Sequence, residues 1–420
     1  MLLATHTLSL LLPTIWIVDA ANGPGTHFLD LPAAVAAAAS GDTILVRAGS
    51  YSNLYTNGKQ LTVRGAGSAT TFLGTTYIDG PDCVLAGVTV RPSQLVGTQL
   101  SVYSQLTMLH CRVEAVAPNW STAALLVGSN AYVSATDCDV RGSNSPISVV
   151  GGGGAVLVAA SGVFVATDCT LRGGDGLYDP ITGSSSSAGH ALRAIGVATL
   201  HRTTCIGGDC TRLLFGTNRA GDAIASQTQG GVRVAGTAST VLRGGVARDL
   251  ATNPVPVACG RAFDAQTGND LFLHGAVQLQ PAAPGAPLFS NSGATALPAL
   301  PYLTVQSPAL PSGENDAAQL AIVVYDGLLP NAPYVFAAGF TPAFSTALAP
   351  ALVGELLVDL DHSGLLFGTL DGAGQFTFPL LPAAALASVL GHPIYAQCAT
   401  FDVVAGNARA SNLDARIYSL

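Results

Sequence analysis

The sequence predicts an all-β chain: a parallel β-helix solenoid of about eight rungs, opened by a capping helix and followed by a small β-sandwich. Three observations predict it. A short stretch recurs, ATDCDVRGS at 135–143 and ATDCTLRGG at 166–174, with weaker copies on both sides. Charged residues are only 10% of the 420-residue chain while Gly numbers 48, a composition that suits stacked short strands better than helices or disorder. Finally, the repeat dissolves near Gln280 into PAAPGAP and LPALP, which marks a second unit.

With the apolar residue before Arg as a marker, Val63, Val90, Val113, Val140, Leu171, Gly207, Leu242 and Leu273 fall in one column. Their spacings are 27, 23, 27, 31, 36, 35 and 31 residues. Such a period, with variable inserts, belongs to a solenoid whose extra residues bulge at fixed corners. No long run shows helical apolar spacing, and each unit holds short β-rich runs broken by Gly, Ser, Asn and Asp. A second run precedes the marker in each unit: QLSVYS, ALLVGS, AVLVAAS, ALRAI and GVRVA. Every rung therefore supplies two or three strands to different parallel sheets, with apolar residues pointing into a narrow core. The inward columns are expected to run through Leu106, Val133 and Phe164, and through Met108, Ala135 and Ala166. Another is expected to hold Cys111, Cys138, Cys169 and Cys205.

The opening, AAVAAAASGDTILVRAGSYS (33–52) followed by GKQLTVRGAG (58–67), resembles secreted bacterial proteins of the right-handed parallel β-helix, pectin-lyase-like class. The resemblance covers roughly residues 15–295. It implies a right-handed helix and an extracellular or cell-envelope location. It implies no single activity, because the fold hosts lyases, hydrolases, epimerases, adhesins and stalks.

In chain order, residues 1–14 form a candidate atypical leader: apolar, with no basic residue in front and no evident cleavage site. Ile15 to Ala20 reads as the first strand. An Ala-rich segment, 31–39, follows Asp30, a suitable N-cap, and is assigned as the helix that covers the open core. The β-helix is placed at 15–280, the Pro/Ala-rich link and last rung at 281–300, and the sandwich at 301–420. The sandwich loosely resembles those appended to exported bacterial proteins. No stretch is uniformly apolar for long enough to span a bilayer. Three inserts, after Arg141, Arg172 and Gly207, leave what should be one corner of consecutive rungs. They predict a wall of loops over one sheet, where function usually sits.

The net charge of −8 argues against a nucleic-acid-binding face. The expected partner is a polysaccharide or cell-envelope glycan. An outward column of Arg64, Arg91, Glu114, Arg141, Arg172, Arg243 and His274 could grip carboxylates by charge-assisted hydrogen bonds, or be a solvated charge ladder. Arg193 and Arg233 are read as a shorter stack on the neighbouring sheet. The loop wall adds Asp175, Tyr178, Asp179, His190, Asp209, Arg212, Arg219 and Asp222. Among these, Asp175, Asp179 and Asp209 are the candidate catalytic carboxylates for a hydrolase or lyase. The alternative is that they make turns. The substrate-binding candidates are Arg141, Arg172, Tyr178, His190, Arg193, Arg212, Arg233 and Arg243. The polygalacturonase residue pattern and a pectate-lyase calcium cluster are both missing, so binding without turnover is the first reading. A lyase or hydrolase acting on an acidic glycan and a structural stalk or adhesin are the alternatives.

No cofactor or metal is expected. Calcium stays open, without a clear motif, at Asp137 and Asp168, which read rather as turn caps, and at DLDHSG (359–364), which lacks an acidic twelfth position. The cysteine column reads as small buried side chains, and Cys205 with Cys210 is the candidate local disulfide.

Overall fold

The computed structural model describes residues 14–91, 98–115, 123–145, 151–179, 184–211, 218–227, 232–249, 253–265, 271–290, 294–306, 315–316, 321–339, 342–345, 352–353, 356–358, 363–379 and 393–419. Three parallel sheets run along the β-helix. Among the described residues, sheet A has eleven strands, sheet B nine and sheet C eight. Each full rung passes from C to A to B, as in Leu125–Val127, Tyr132–Thr136 and Asp139–Arg141. The candidate leader lies outside the described residues except for Thr14.

Alternation sets the core. In sheet A, Leu106 stands beside Val133 and Val133 beside Phe164, and Met108, Ala135 and Ala166 align likewise. All six are buried, as their spacing predicts. The helix Leu31–Ala37 begins at Asp30, whose carboxylate accepts the Leu31 amide at 2.8 Å, and it buries Leu31, Ala34 and Val35 in the main core. Lys59, the single lysine, ties down the far end. Its Nζ donates to the carbonyls of Val35, Ala36 and Ala38 at 2.7, 3.1 and 2.7 Å, a cation on the negative end of the helix.

The register corrects the marker column. Val90, Val113, Val140 and Leu171 do stack in sheet B, but the next member is Cys205, followed by Leu242 and Leu279. Val63 and Leu273 belong to sheet A. Both sheets alternate apolar and polar residues and end near Gly, so a short V-R-G or L-H-G string does not tell one from the other. Cys205 therefore leaves the cysteine column, where Thr203 takes its place. The Cys111 amide points at Cys138 Sγ, the Cys138 amide at Cys169 Sγ and the Cys169 amide at Thr203 Oγ1, each at 3.4 Å.

All eight cysteines are free and buried. The candidate Cys205–Cys210 disulfide is not formed, because the two face different cores. Cys205 is in the main core, whereas Cys210 joins Ala220, Ala247, Ala258 and Cys259 in a second one beyond the corner.

The β-helix continues past residue 280. Its last sheet A strand is Ala294–Leu297, paired with Leu271–Gly275. The C-terminal unit is then antiparallel. Tyr302–Gln306, Ala321–Tyr325 and Gln375–Pro379 form one sheet, while Pro333–Gly339, Ser363–Thr369 and Pro393–Asp402 belong to another. Leu303 and Val324 of the first pack with Tyr334, Phe336, Ala396 and Cys398 of the second, which makes a sandwich core. This unit also covers the outer face of sheet A. Val84, Ala86, Leu109 and Val165 pack against Ala337, Tyr395 and Leu413. Thr107 and Tyr395 share a hydroxyl hydrogen bond of 2.5 Å, and Thr167 Oγ1 donates to the Leu413 carbonyl at 3.0 Å.

Candidate functional site

The inserts leave the β-helix at the corner after sheet B and return to sheet C, as their spacing predicts. How they leave was not legible. Outgoing and returning legs of successive rungs interleave through one glycine seam. The amide of Gly174 donates to the Gly153 carbonyl, Gly189 to Gly174, Gly208 to Gly189, Gly221 to Gly208, Gly245 to Gly221 and Gly260 to Gly245, all at 2.8–3.0 Å. A Cβ added at Gly189 would fall on the Gly153 carbonyl oxygen, and one at Gly208 on that of Gly174. The signal is present in the sequence as two repeated tetrads. R-G-G-D at Arg172 to Asp175 and R-G-G-V at Arg243 to Val246 lead out. G-H-A-L at Gly189 to Leu192, G-D-A-I at Gly221 to Ile224 and G-R-A-F at Gly260 to Phe263 lead back. The third insert thus ends at the sheet C strand Ile224–Ser226.

The residue after each outgoing Gly-Ser or Gly-Gly pair joins a further ladder. Asn144 Oδ1 accepts the Asp175 amide at 2.9 Å, Asp175 Oδ1 the Asp209 amide at 2.9 Å and Asp209 Oδ1 the Val246 amide at 2.7 Å. Two of the three candidate carboxylates therefore stack along the helix axis and hold the next rung's main chain. The side chain of Asp179, and all of Arg212, lie outside the described residues. Tyr178 sits in a two-stranded hairpin, in register with Ser185.

A matching ladder runs on the returning legs. His190 Nδ1 accepts the Asp222 amide at 3.0 Å, and Asp222 Oδ1 accepts the Arg261 amide at 2.7 Å. The same Nδ1 lies 3.2 Å from Asp222 Oδ2.

The outer face of sheet B holds a groove of about 480 Å³ lined by Arg91, Glu114, Arg141, Asn144, Arg172 and Asp175, among others. Glu114, Arg141 and Arg172 are in register on successive strands. The three arginines are about half exposed, with side chains 56%, 51% and 48% accessible. Acidic neighbours alternate with them: Arg91–Glu114 at 3.7 Å, Arg141–Asp139 at 2.7 Å and Arg172–Asp175 at 3.5 Å. The Asp139 hydrogen bond holds the Arg141 guanidinium still further above its ordinary range.

The basic column is shorter than its sequence spacing suggests. Arg64 and His274 lie in sheet A, for the reason that displaced Val63 and Leu273. Ile206 stands between Arg172 and Arg243. Arg193 and Arg233 do not stack together, because they occupy sheets C and A respectively. Arg193 donates to Gln227 Oε1 at 2.6 Å, and Arg233 lies over Phe272 with 5.7 Å from its Cζ to the ring centre. The run GVRVA looks like the earlier sheet C runs but follows Ile224–Ser226, which already fills that place.

Asp137 and Asp168 sit at the corner between sheets A and B with positive φ, 52° and 55°, in line with His110 and Arg202 at 51° and 47°. Both oxygens of Asp168 accept from Arg202, at 2.7 and 2.6 Å. Residues 359–362 of the DLDHSG stretch lie outside the described residues.

No family model and no curated protein matches the chain. Solved structures do. A pectate lyase, Pel9A, is 14% identical over 67% of this chain and 78% of its own, with a TM-score of 0.41. The pectin methylesterase PemA from Erwinia chrysanthemi is 11% identical over 65% and 92%, with a TM-score of 0.36. A pectin methylesterase from Aspergillus niger is 12% identical over 68% and 86%, with a TM-score of 0.33. The parallel β-helix itself rests on the strand register given above. Among the described residues no helix is long and apolar enough to cross a membrane.

Proposed function

We propose that this chain is an exported or cell-surface protein that binds an acidic polysaccharide along the outer face of sheet B, without turning it over. The observation that carries the reading is the groove of about 480 Å³ in which Arg141 and Arg172 present half-exposed guanidiniums on adjacent rungs and Arg91 a third, two rungs before Arg141. Adjacent rungs are about 4.8 Å apart, so the three cations lie at multiples of that spacing, which suits a chain of repeating anions. Planar forks suit carboxylates better than ammonium groups do. Glu114, Asp139 and Asp175 keep the arginines extended until a ligand carboxylate competes for them.

Binding is favoured over hydrolysis or elimination by the roles of Asp175 and Asp209. A glycosidase needs one carboxyl protonated and a second set across the scissile bond. Here each carboxylate accepts a main-chain amide and they lie one behind the other along the axis.

The test is affinity electrophoresis of the full chain in gels of polygalacturonate, alginate and neutral glucan, with release of reducing and unsaturated ends assayed in parallel. Retention by the acidic gels, falling with salt and lost in Arg141→Ala/Arg172→Ala, is expected. Equal migration of wild type and variant in every acidic gel would remove the proposal, and release of chain ends would replace it with an enzyme.

A further inference from the structure

The seam between the β-helix and the C-terminal unit buries two histidines that the arginine groove does not use. His201 and His274 share one outward row of sheet A, with Ala235 between them in register, so the rings are rooted about 10 Å apart. They are 5% and 1% exposed. Thr167 stands in the same row, one strand before His201, and donates to the Leu413 carbonyl at 3.0 Å. A cavity of about 40 Å³ lies between His201, Arg202, Pro301, Tyr302 and Asn412. The C-terminal unit therefore rests directly on this row.

The seam is built against a further positive charge. His274 Nδ1 lies 3.0 Å from the Pro298 carbonyl oxygen, which can only accept, so Nδ1 carries the hydrogen and Nε2 the lone pair. That Nε2 is buried and has no hydrogen-bond partner among the described residues, so a proton placed there has nothing to donate to. Sheet A and its corner bring Arg202, Arg233 and Asp168 to the pair, and the C-terminal unit brings Tyr302, Arg409 and Asp326. Both acids are engaged. Asp168 accepts from Arg202 at 2.7 and 2.6 Å, and Asp326 accepts from Arg409 at 2.9 Å and Thr400 at 2.6 Å. Burial above all, then Arg202 and His274, lowers His201 from 6.5 to about 3. Burial also lowers His274, with Arg233 and Arg409 adding to it against the upward pull of the Pro298 carbonyl.

We propose that His201 and His274 form an acid-operated latch: neutral, they let the C-terminal sandwich lie on sheet A, and their protonation releases it while each unit stays folded. Once released, both rings regain water and their ordinary affinity for protons. A neutral buried ring favours the docked form fully above pH 6.5. It loses that hold as the pH falls, by up to about tenfold per unit for each proton taken up. At pH 4.5 that amounts to about a hundredfold for His201 alone, and His274 acts in the same direction. What parts is a small apolar contact, Val84, Ala86, Leu109 and Val165 against Ala337, Tyr395 and Leu413, which belongs neither to the main core nor to the sandwich core. The latch does not depend on the sheet B reading.

Hydroxyl-radical footprinting of the full chain between pH 7.5 and pH 4 reads the seam directly. Oxidation of Tyr395 and Leu413, normalised to free peptides at the same pH, should rise at least tenfold with a midpoint between pH 6.5 and pH 4. Phe164 in the main core and Phe336 in the sandwich core should stay protected throughout. His201→Gln/His274→Gln should keep Tyr395 and Leu413 protected down to pH 4, and Arg233→Gln, which removes a cation beside His274, should lower the midpoint. Circular dichroism at pH 7.5 checks the fold of each variant, and the Arg233→Gln arm decides alone if the double variant does not fold. Seam residues still protected at pH 4 overturn the proposal, as does a double variant that opens like wild type, which would assign the opening to carboxylates. Phe164 or Phe336 exposed together with Tyr395 would mean unfolding rather than release. That result overturns it too, as does an Arg233→Gln midpoint at or above that of wild type.

Discussion

Asp209 receives the Val246 amide on its carboxylate at 2.7 Å while its own amide donates to Asp175 at 2.9 Å. It is a link between three rungs before it is anything else. Asp209→Ala should strip the buried-side partner from Val246 and cost about 1–3 kcal/mol. Asp209→Asn keeps the acceptor, as Asn144 does two rungs earlier, and should unfold within about 0.5 kcal/mol of wild type in urea. An Asn variant as unstable as the Ala variant would contradict the ladder.

The glycine seam makes a sharper prediction. Gly189→Ala would place a methyl on the Gly153 carbonyl, and the backbone on both sides has hydrogen-bond partners to lose. Chemical denaturation should show a loss of about 3 kcal/mol or more. Gly372→Ala, where the added methyl meets nothing within 4 Å, is the control and should shift stability by under about 0.5 kcal/mol.

Lys59 closes the capping helix with three hydrogen bonds to carbonyls. Lys59→Met retains the aliphatic stem and removes them, so the loss should be about 1–3 kcal/mol. It should appear first as faster amide exchange in Ala34 to Ala38. Uniform exchange over the whole β-helix, with no local excess there, would count against a capping role.

His201 lies under the C-terminal unit, facing Arg202, with His274 two strands along sheet A and Asp168 nearby. Burial, then Arg202 and His274, push its pKa from 6.5 to about 3, and burial lowers His274 as well. A depressed histidine stabilises the folded state fully above pH 6.5. It withdraws that stability as the pH falls toward 3, by up to about 1.4 kcal/mol per unit for one proton. Arg233 and Arg409 next to His274 act in the same direction. Denaturation midpoints of wild type and His201→Gln should diverge below pH 6.5, with the variant less sensitive. Parallel curves down to pH 4 would refute the assignment.

The stacked architecture was legible because Cys138 and Cys169, Asp137 and Asp168, and Arg141 and Arg172 repeat at the same offsets within closely similar strings. Register was less so wherever a rung departs from that string. Val63 and Leu273 carry the local letters of sheet B in sheet A, and Cys205 replaces a Val or Leu two residues before Gly207. The groove was half legible. Arg141 and Arg172 are where their spacing puts them, but nothing local shows that Ile206 interrupts the row before Arg243.

The interleaved glycine legs have a consequence for how such a chain can be remodelled. Because every leg is clasped by legs from the rungs above and below, removing one excursion would orphan carbonyls on two others, so the flank must shorten or lengthen in concert. Sequence added further out, past the clasp, disturbs none of those bonds. New recognition segments can therefore be grafted at the tips with the stem left untouched.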